Sequence, residues 1–138
     1  MYITLTKKRL FIILCAALSG LLIITQFFSV KAEAITLSTN AQRVEFIESL
    51  GVTLENDEFN EKTVVIPEEF SDVYLRYNNL QKQAGFDLNG YRGKQIAVYT
   101  YRTNDGKCVN LMIYKERLIG GDISEVNVGG NMTSLKGK

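Results

Sequence analysis

The stretch Asn104-Asp105-Gly106-Lys107 restricts the fold of this chain more than any other. An Asp-Gly pair between two runs rich in Val, Ile, Tyr and Thr is a strong hairpin signal, because Gly accepts the positive φ of a tight turn. With Asp105-Gly106 as a two-residue loop, Thr103 faces Cys108, Tyr101 faces Asn110 and Tyr99 faces Met112. Lys115-Glu116 is the best-placed loop for the next turn, although neither residue favours positive φ. It sets Ile113 against Leu118, Leu111 against Gly120 and Val109 against Asp122. The run Tyr91 to Val126 is thus expected to form a three-stranded antiparallel meander over residues 94–126. Alternation puts Ile96, Val98, Thr100, Val109, Leu111, Ile113 and Leu118 on one, aliphatic face. The other face carries Ala97, Tyr99, Tyr101, Cys108, Asn110, Met112, Tyr114, Ile119 and Ile123. A bulge in the third strand is expected at Gly120-Gly121.

Upstream, Ala41, Val44, Ile47 and Leu50 recur at helical spacing with Phe46 beside them. Thr39 with Gln42 fits a capping box, Asn40 is an alternative cap, and Gly51 is a natural stop. A helix is expected over residues 40–50. Val52-Thr53-Leu54 and Lys62 to Ile66 read as short strands, with the acidic stretch Glu55 to Glu61 as a solvated loop between them. Calcium binding by that stretch fits poorly, since its spacing matches no EF-hand loop. Pro67 suits the first turn of a second helix, whose positive end Glu68, Glu69 and Asp72 complement. Phe70, Val73, Tyr74, Tyr77, Leu80 and Ala84 form its apolar stripe, and Gly85 with Phe86 closes it. Residues 86–93 read as a tight connection with room for one helical turn. The expected class is α+β: two helices packed on the aliphatic face of a small antiparallel sheet, the meander plus one or two strands from 52–66. The domain spans 39–127, after a linker at 31–38 and before a flexible tail at 128–138.

The N-terminus places that domain. Lys7-Lys8-Arg9 precedes 21 uncharged residues, Leu10 to Val30. A helix of that length matches a hydrocarbon core of about 30 Å. The basic cluster at 1–9 sets the N-terminus inside and the domain outside. Residues 10–30 are a single-pass transmembrane anchor on this reading, and a secretory signal cleaved near Ala32 on the other. Both put the folded part outside the cytoplasm.

Composition narrows the chemistry. The chain has no His, two Cys, one Pro and no Trp. Triads, Cys-His dyads and zinc sites therefore cannot form within it. Cys15 and Cys108 lie on opposite sides of the membrane boundary, so no internal disulfide is expected. No cofactor or metal is expected: Gly120-Gly121-Asp122 is not a phosphate loop, since no helix follows it. Residues 33–72 carry ten acidic and two basic residues, and residues 73–138 five and ten. This polar layout reads as a solvated surface or a partner surface. Nucleic acid is not an expected partner, because no basic-aromatic motif is present.

The runs NAQRVEFIESLG, VVIPEEFSDVYLRYNNLQKQAGFDLNGYRGK and CVNLMIYKERLIGGDIS resemble a bacterial family known only as a domain of unknown function, number 4830. The resemblance covers about Asn40 to Ser124, and the combination of IPEEF, QKxxGFDL and IGGD carries it. Such proteins come largely from low-GC Gram-positive bacteria and usually carry an N-terminal membrane segment. Many have Asn-Gly at the last turn, where this chain has Lys115-Glu116. The resemblance implies an extracytoplasmic location and this architecture, and no catalytic residue.

Two functions from different classes fit. One is a membrane-tethered, non-catalytic binding or accessory module that recruits an envelope protein or ligand through Tyr99, Tyr101, Asn110 and Tyr114, or through the sheet edge. Its motive is the tyrosine-bearing second face. The other is a small carboxylate-dependent envelope enzyme, such as a hydrolase, built on Asp122 with neighbouring Tyr or Lys groups. Arg102 and Asp122 share a face with Val109 between them, as a structural ion pair or a ligand-binding pair. A third possibility is that the Val52–Ile66 region covers the second face. The N-terminal alternatives separate on intact mass. A retained anchor gives the full 138-residue mass, whereas cleavage gives a mature chain starting near Glu33.

Overall fold

The computed structural model describes residues 33–127 and 129–136. The expected anchor at 10–30 lies outside them, and no described helix is long and apolar enough to cross a membrane. The elements are α1 (Asn40–Ser49), β1 (Leu54–Val65), α2 (Asp72–Gln83), a 3-10 turn (Leu88–Tyr91), β2 (Gln95–Thr103), β3 (Lys107–Tyr114), β4 (Arg117–Glu125) and β5 (Met132–Ser134). The strands form one antiparallel sheet in sequence order. The class is α+β, with the meander in place.

The central register differs from expectation by one residue. Val98 pairs with Met112, Thr100 with Asn110 and Arg102 with Cys108. The loop is therefore Asn104-Asp105-Gly106, with Gly106 at φ 78° and its N–H on the Thr103 carbonyl at 3.0 Å. Thr103 Oγ1 accepts from Lys107 N–H at 2.9 Å and closes the loop. A three-residue loop with a left-handed Gly is the next commonest hairpin after the two-residue kind. Because the side-chain period is two, the shift moves all of β3 to the opposite face from that expected. The Lys115-Glu116 turn is as expected, with both residues at positive φ (48° and 65°). The bulge falls one residue earlier than Gly120: Leu118 pairs with Ile113 and Gly120 with Met112, leaving Ile119 extra.

The two helices consequently lie on opposite faces of the sheet, not on one. Tyr101, Val109, Leu111, Ile113 and Leu118 pack with Ile47, Val44 and Phe46 of α1 and with Leu50, which caps it. Ile96, Val98, Met112 and Ile119 pack with Leu88, Ile66 and with Tyr74 and Tyr77 of α2. Both faces of the meander are thus apolar because both are covered. Thr39 caps α1 in the expected box with Gln42. α2 starts at Asp72 rather than Pro67, since the Ser71 hydroxyl accepts the Tyr74 N–H and fixes the first turn. Its inward stripe holds Asn78 and Gln81, while Val73 is 68% exposed. Gly85 (φ 86°) ends it, with Phe86 N–H on the Gln81 carbonyl at 3.1 Å and Gly85 N–H on that of Lys82.

Three expectations at the margins are corrected. Glu55 to Glu61 is not a loop: it belongs to the long edge strand β1, which is irregular between Leu54 and Phe59. Charged residues suit an exposed edge, which is why composition suggested a loop. The 31–38 linker includes Leu37, which is buried, and Ile35 to Leu37 bond to β4 around Arg117. The 128–138 tail includes β5, which pairs Ser134 with Asp122 and buries Leu135. The free edge of β4 is closed by three devices in turn: Ile35–Leu37, the Gln81 side chain on Gly121 N–H (2.8 Å), and β5. A Cβ on Gly121 would collide with the Asn110 carbonyl oxygen and with Leu135.

Leu135→Ala should lower unfolding free energy by about 2–5 kcal/mol in urea denaturation. A loss below about 0.5 kcal/mol, as at an ordinary surface position, would mean that the C-terminal segment is a dispensable tail.

Candidate functional site

The six residues singled out from sequence do not share a face. Tyr99 and Tyr101 point towards α1, whereas Asn110, Asp122, Arg102 and Tyr114 belong to the α2 side. Asn110 and Asp122 meet, as neighbours across β3 and β4. Asp122 is 3% exposed. Tyr77 Oη donates to its Oδ2 at 2.7 Å and Asn110 Nδ2 to its Oδ1 at 2.9 Å. Thr100 Oγ1 donates to Asn110 Oδ1 at 2.7 Å, which extends the chain across three strands. Burial pushes the Tyr77 hydroxyl far above the ordinary tyrosine value, and the Asp122 charge and hydrogen bond push it further. This network fastens α2 to the sheet.

Arg102 is exposed and lies one cross-strand row away, opposite Cys108. The expected pairing of Arg102 with Asp122 does not form: among the described residues the ion pairs are Lys82–Asp87 and Lys107–Asp105. The Asp122 carboxylate is already engaged by neutral donors, and its row holds Asn110 and Thr100.

On the α1 side, Tyr101 is wholly buried. Its hydroxyl accepts from Arg43 Nε at 2.8 Å and donates to Asn40 Oδ1 at 2.7 Å. Arg43 is only 5% exposed. Its guanidinium lies 3.9 Å over the Tyr99 ring and 5.1 Å from that of Phe59. Nη1 reaches the Leu37 carbonyl at 3.5 Å, and Nη2 has no hydrogen bond to a described residue. Tyr99 Oη bonds Glu61 Oε1 at 3.2 Å. Burial, then the Glu61 charge, raises the Tyr99 hydroxyl above its ordinary value, and Arg43 opposes this. Burial raises Tyr101 too, against the pull of Arg43.

Arg43, Tyr99, Ala97 and Ile113 line one open pocket of about 320 Å³, which also touches Ile96 and Tyr114 and is bordered by Lys115 and Glu116. Tyr99 borders it from the α1 side, whereas Tyr114, which packs on the α2 side, meets it only at the end of β3. Tyr114 packs edge-on against Tyr91 at 5.7 Å. A wider groove of about 1110 Å³ lies elsewhere, between Leu50–Thr53, the β2–β3 loop and β5. Asp122 lines neither concavity.

Arg43 was not singled out from sequence, although a signal existed. It lies four residues before Ile47, on the buried stripe of α1, where an arginine needs a reason. Tyr77, Asn78 and Gln81 likewise hold α2 in place through polar contacts that an apolar-stripe reading passes over.

The model of the family described as Domain of unknown function (DUF4830) matches residues 46–125, more than half of the chain. The chain belongs to that family. No curated protein and no solved structure matches it. The match spans α2, the meander and Tyr99, and stops short of Arg43 and β5.

The raised Tyr77 hydroxyl sets a pH dependence. Below pH about 10 the phenol is neutral in both folded and unfolded chains. Above it the unfolded chain ionises first, so stability falls as pH rises. Tyr74, Tyr99 and Tyr101 act in the same direction. Tyr77→Phe should cost about 1–3 kcal/mol at neutral pH and flatten the decline above pH 10 in urea melts. An unchanged slope would contradict the burial of this hydroxyl.

Proposed function

We propose that the protein is a membrane-tethered, extracytoplasmic and non-catalytic binding module that holds an envelope protein or ligand at the pocket beside Tyr99 and Arg43. One observation carries the reading. Arg43 is a nearly buried cation, stacked on Tyr99, with unused donors at an open pocket and no carboxylate partner among the described residues. Folding places charged groups in such positions only at a cost, which an anionic ligand at the pocket would offset. In this reading Tyr99 faces the ligand, Tyr101 positions Arg43 from below, and Tyr114 packs on Tyr91 across the sheet. Asn110 and Asp122 secure the helix on the other face, and Arg102 is a surface cation.

The tether rests on the uncharged run 10–30 after Lys7-Lys8-Arg9, with secretion after cleavage near Ala32 as the alternative. A carboxylate-dependent enzyme has less support, because Asp122 lines neither of these two pockets and its oxygens are hydrogen-bonded.

The test is photo-crosslinking in cells with the full-length protein. A photoreactive residue at Lys115, on the pocket rim, should give a discrete adduct that Tyr99→Ala removes. The same residue at Val73, exposed on α2, should give none. Equal adducts from both positions, or an adduct indifferent to Tyr99→Ala, would contradict the pocket reading.

A further inference from the structure

Among the polar groups that folding leaves without full partners, two stand out. Gln81 Nε2 is buried and unbonded, but it lines neither concavity. Arg43 differs, because it lines an open pocket and none of its nitrogens is sealed away without a partner. A guanidinium has five N–H donors. One goes to Tyr101 and one, at the long distance of 3.5 Å, to Leu37, which leaves three.

From this we infer that the pocket takes a monocarboxylate bearing an apolar group, either the C-terminal carboxylate of a peptide or a small free organic acid. The inference rests on the pocket being the binding site proposed above and adds the class of its ligand. The guanidinium is planar, and a carboxylate matches it with two parallel hydrogen bonds. Stacking on Tyr99 and the bond to Tyr101 hold that plane fixed before any ligand arrives, so little freedom is lost on binding. The charges at the pocket are Arg43, Lys115 and Glu116, which sum to +1 and suit a monoanion better than a dianionic phosphate. Ala97 and the edge of Ile113 offer apolar surface to the body of the acid, while Ser38, Thr63 and Gln95 supply neutral polar groups at the wall. The volume of about 320 Å³ sits at the small end of ligand pockets, which limits the occupant to one residue's worth of side chain or a small acid.

The experiment is NMR titration of the full-length protein in detergent micelles, following the Arg43 Nε–H signal and the methyl signals of Ile113. The probes are isovalerate and N-acetyl-leucine, each beside its neutral amide, and inorganic phosphate. The expected result is that at least one carboxylate binds roughly tenfold or more tightly than its amide and shifts both signals. Binding by N-acetyl-leucine alone identifies a peptide C-terminus, and binding by isovalerate alone a free acid. Arg43→Lys, which keeps the charge but loses the fork, should weaken the carboxylate by about tenfold. Should that variant fail to fold, the acid-against-amide comparison on the unaltered chain decides alone. Amides binding as well as acids, phosphate binding more tightly than either acid, or no response from any probe each overturn the inference. The crosslinking at Lys115 is read independently, so a pocket that captures some other class of ligand remains distinguishable from no pocket.

Discussion

The three-residue loop Asn104–Gly106 decides which way every side chain of the central hairpin points. Its left-handed Gly106 and the Thr103 hydroxyl on the Lys107 N–H fix the pairing of β2 with β3. From that pairing, Tyr99 and Tyr101 turn towards α1 with Val109 and Leu111. Thr100 and Asn110 turn towards α2 with Val98 and Met112. The extra residue in β4, Ile119, then brings Asp122 rather than Gly121 opposite Asn110. Two local backbone features thus produce both the buried carboxylate network and the support beneath Arg43. A sheet with one residue fewer in the loop would put tyrosines against the α2 side and leave neither cluster intact.

Much of this was legible in the chain. The meander, the α1 capping box, the glycine stop of α2, the short turn at Leu88–Tyr91 and the Lys115-Glu116 turn all follow from local rules of capping, φ preference and alternation. What local rules could not give was loop length, since Asp-Gly serves both two- and three-residue hairpins. That single residue carried the face assignment with it, and so the helices were expected on one side. The C-terminal strand had no readable pattern because three residues pair mainly through backbone, anchored by one leucine. The edge strand β1 was hidden by its charge, which is how an open edge avoids pairing with other chains.

The candidate site was half legible. Tyr99 and Tyr114 were marked by composition and do border the pocket, while Tyr101 turned out to lie beneath it. Arg43 was missed because helical periodicity treats an arginine as solvent-facing. Its head instead lies over the Tyr99 ring with Phe59 nearby. Cation–π stacking and one hydroxyl offset part of the desolvation of that charge, and the family to which the chain belongs gives no activity from which to infer the rest. The partition of labour across the sheet is then simple. On one face Asp122, Asn110, Thr100 and Tyr77 bond one another, and on the other a cation with donors to spare lines an open pocket.

The most direct measurement is a crystal structure of the protein with N-acetyl-leucine bound. The account predicts the carboxylate oxygens about 2.7–2.9 Å from the Arg43 Nη atoms, with the leucine side chain over Ala97 and Ile113. A ligand seated instead in the groove beside Leu50, Val52 and Ile123, with Arg43 untouched, would contradict it.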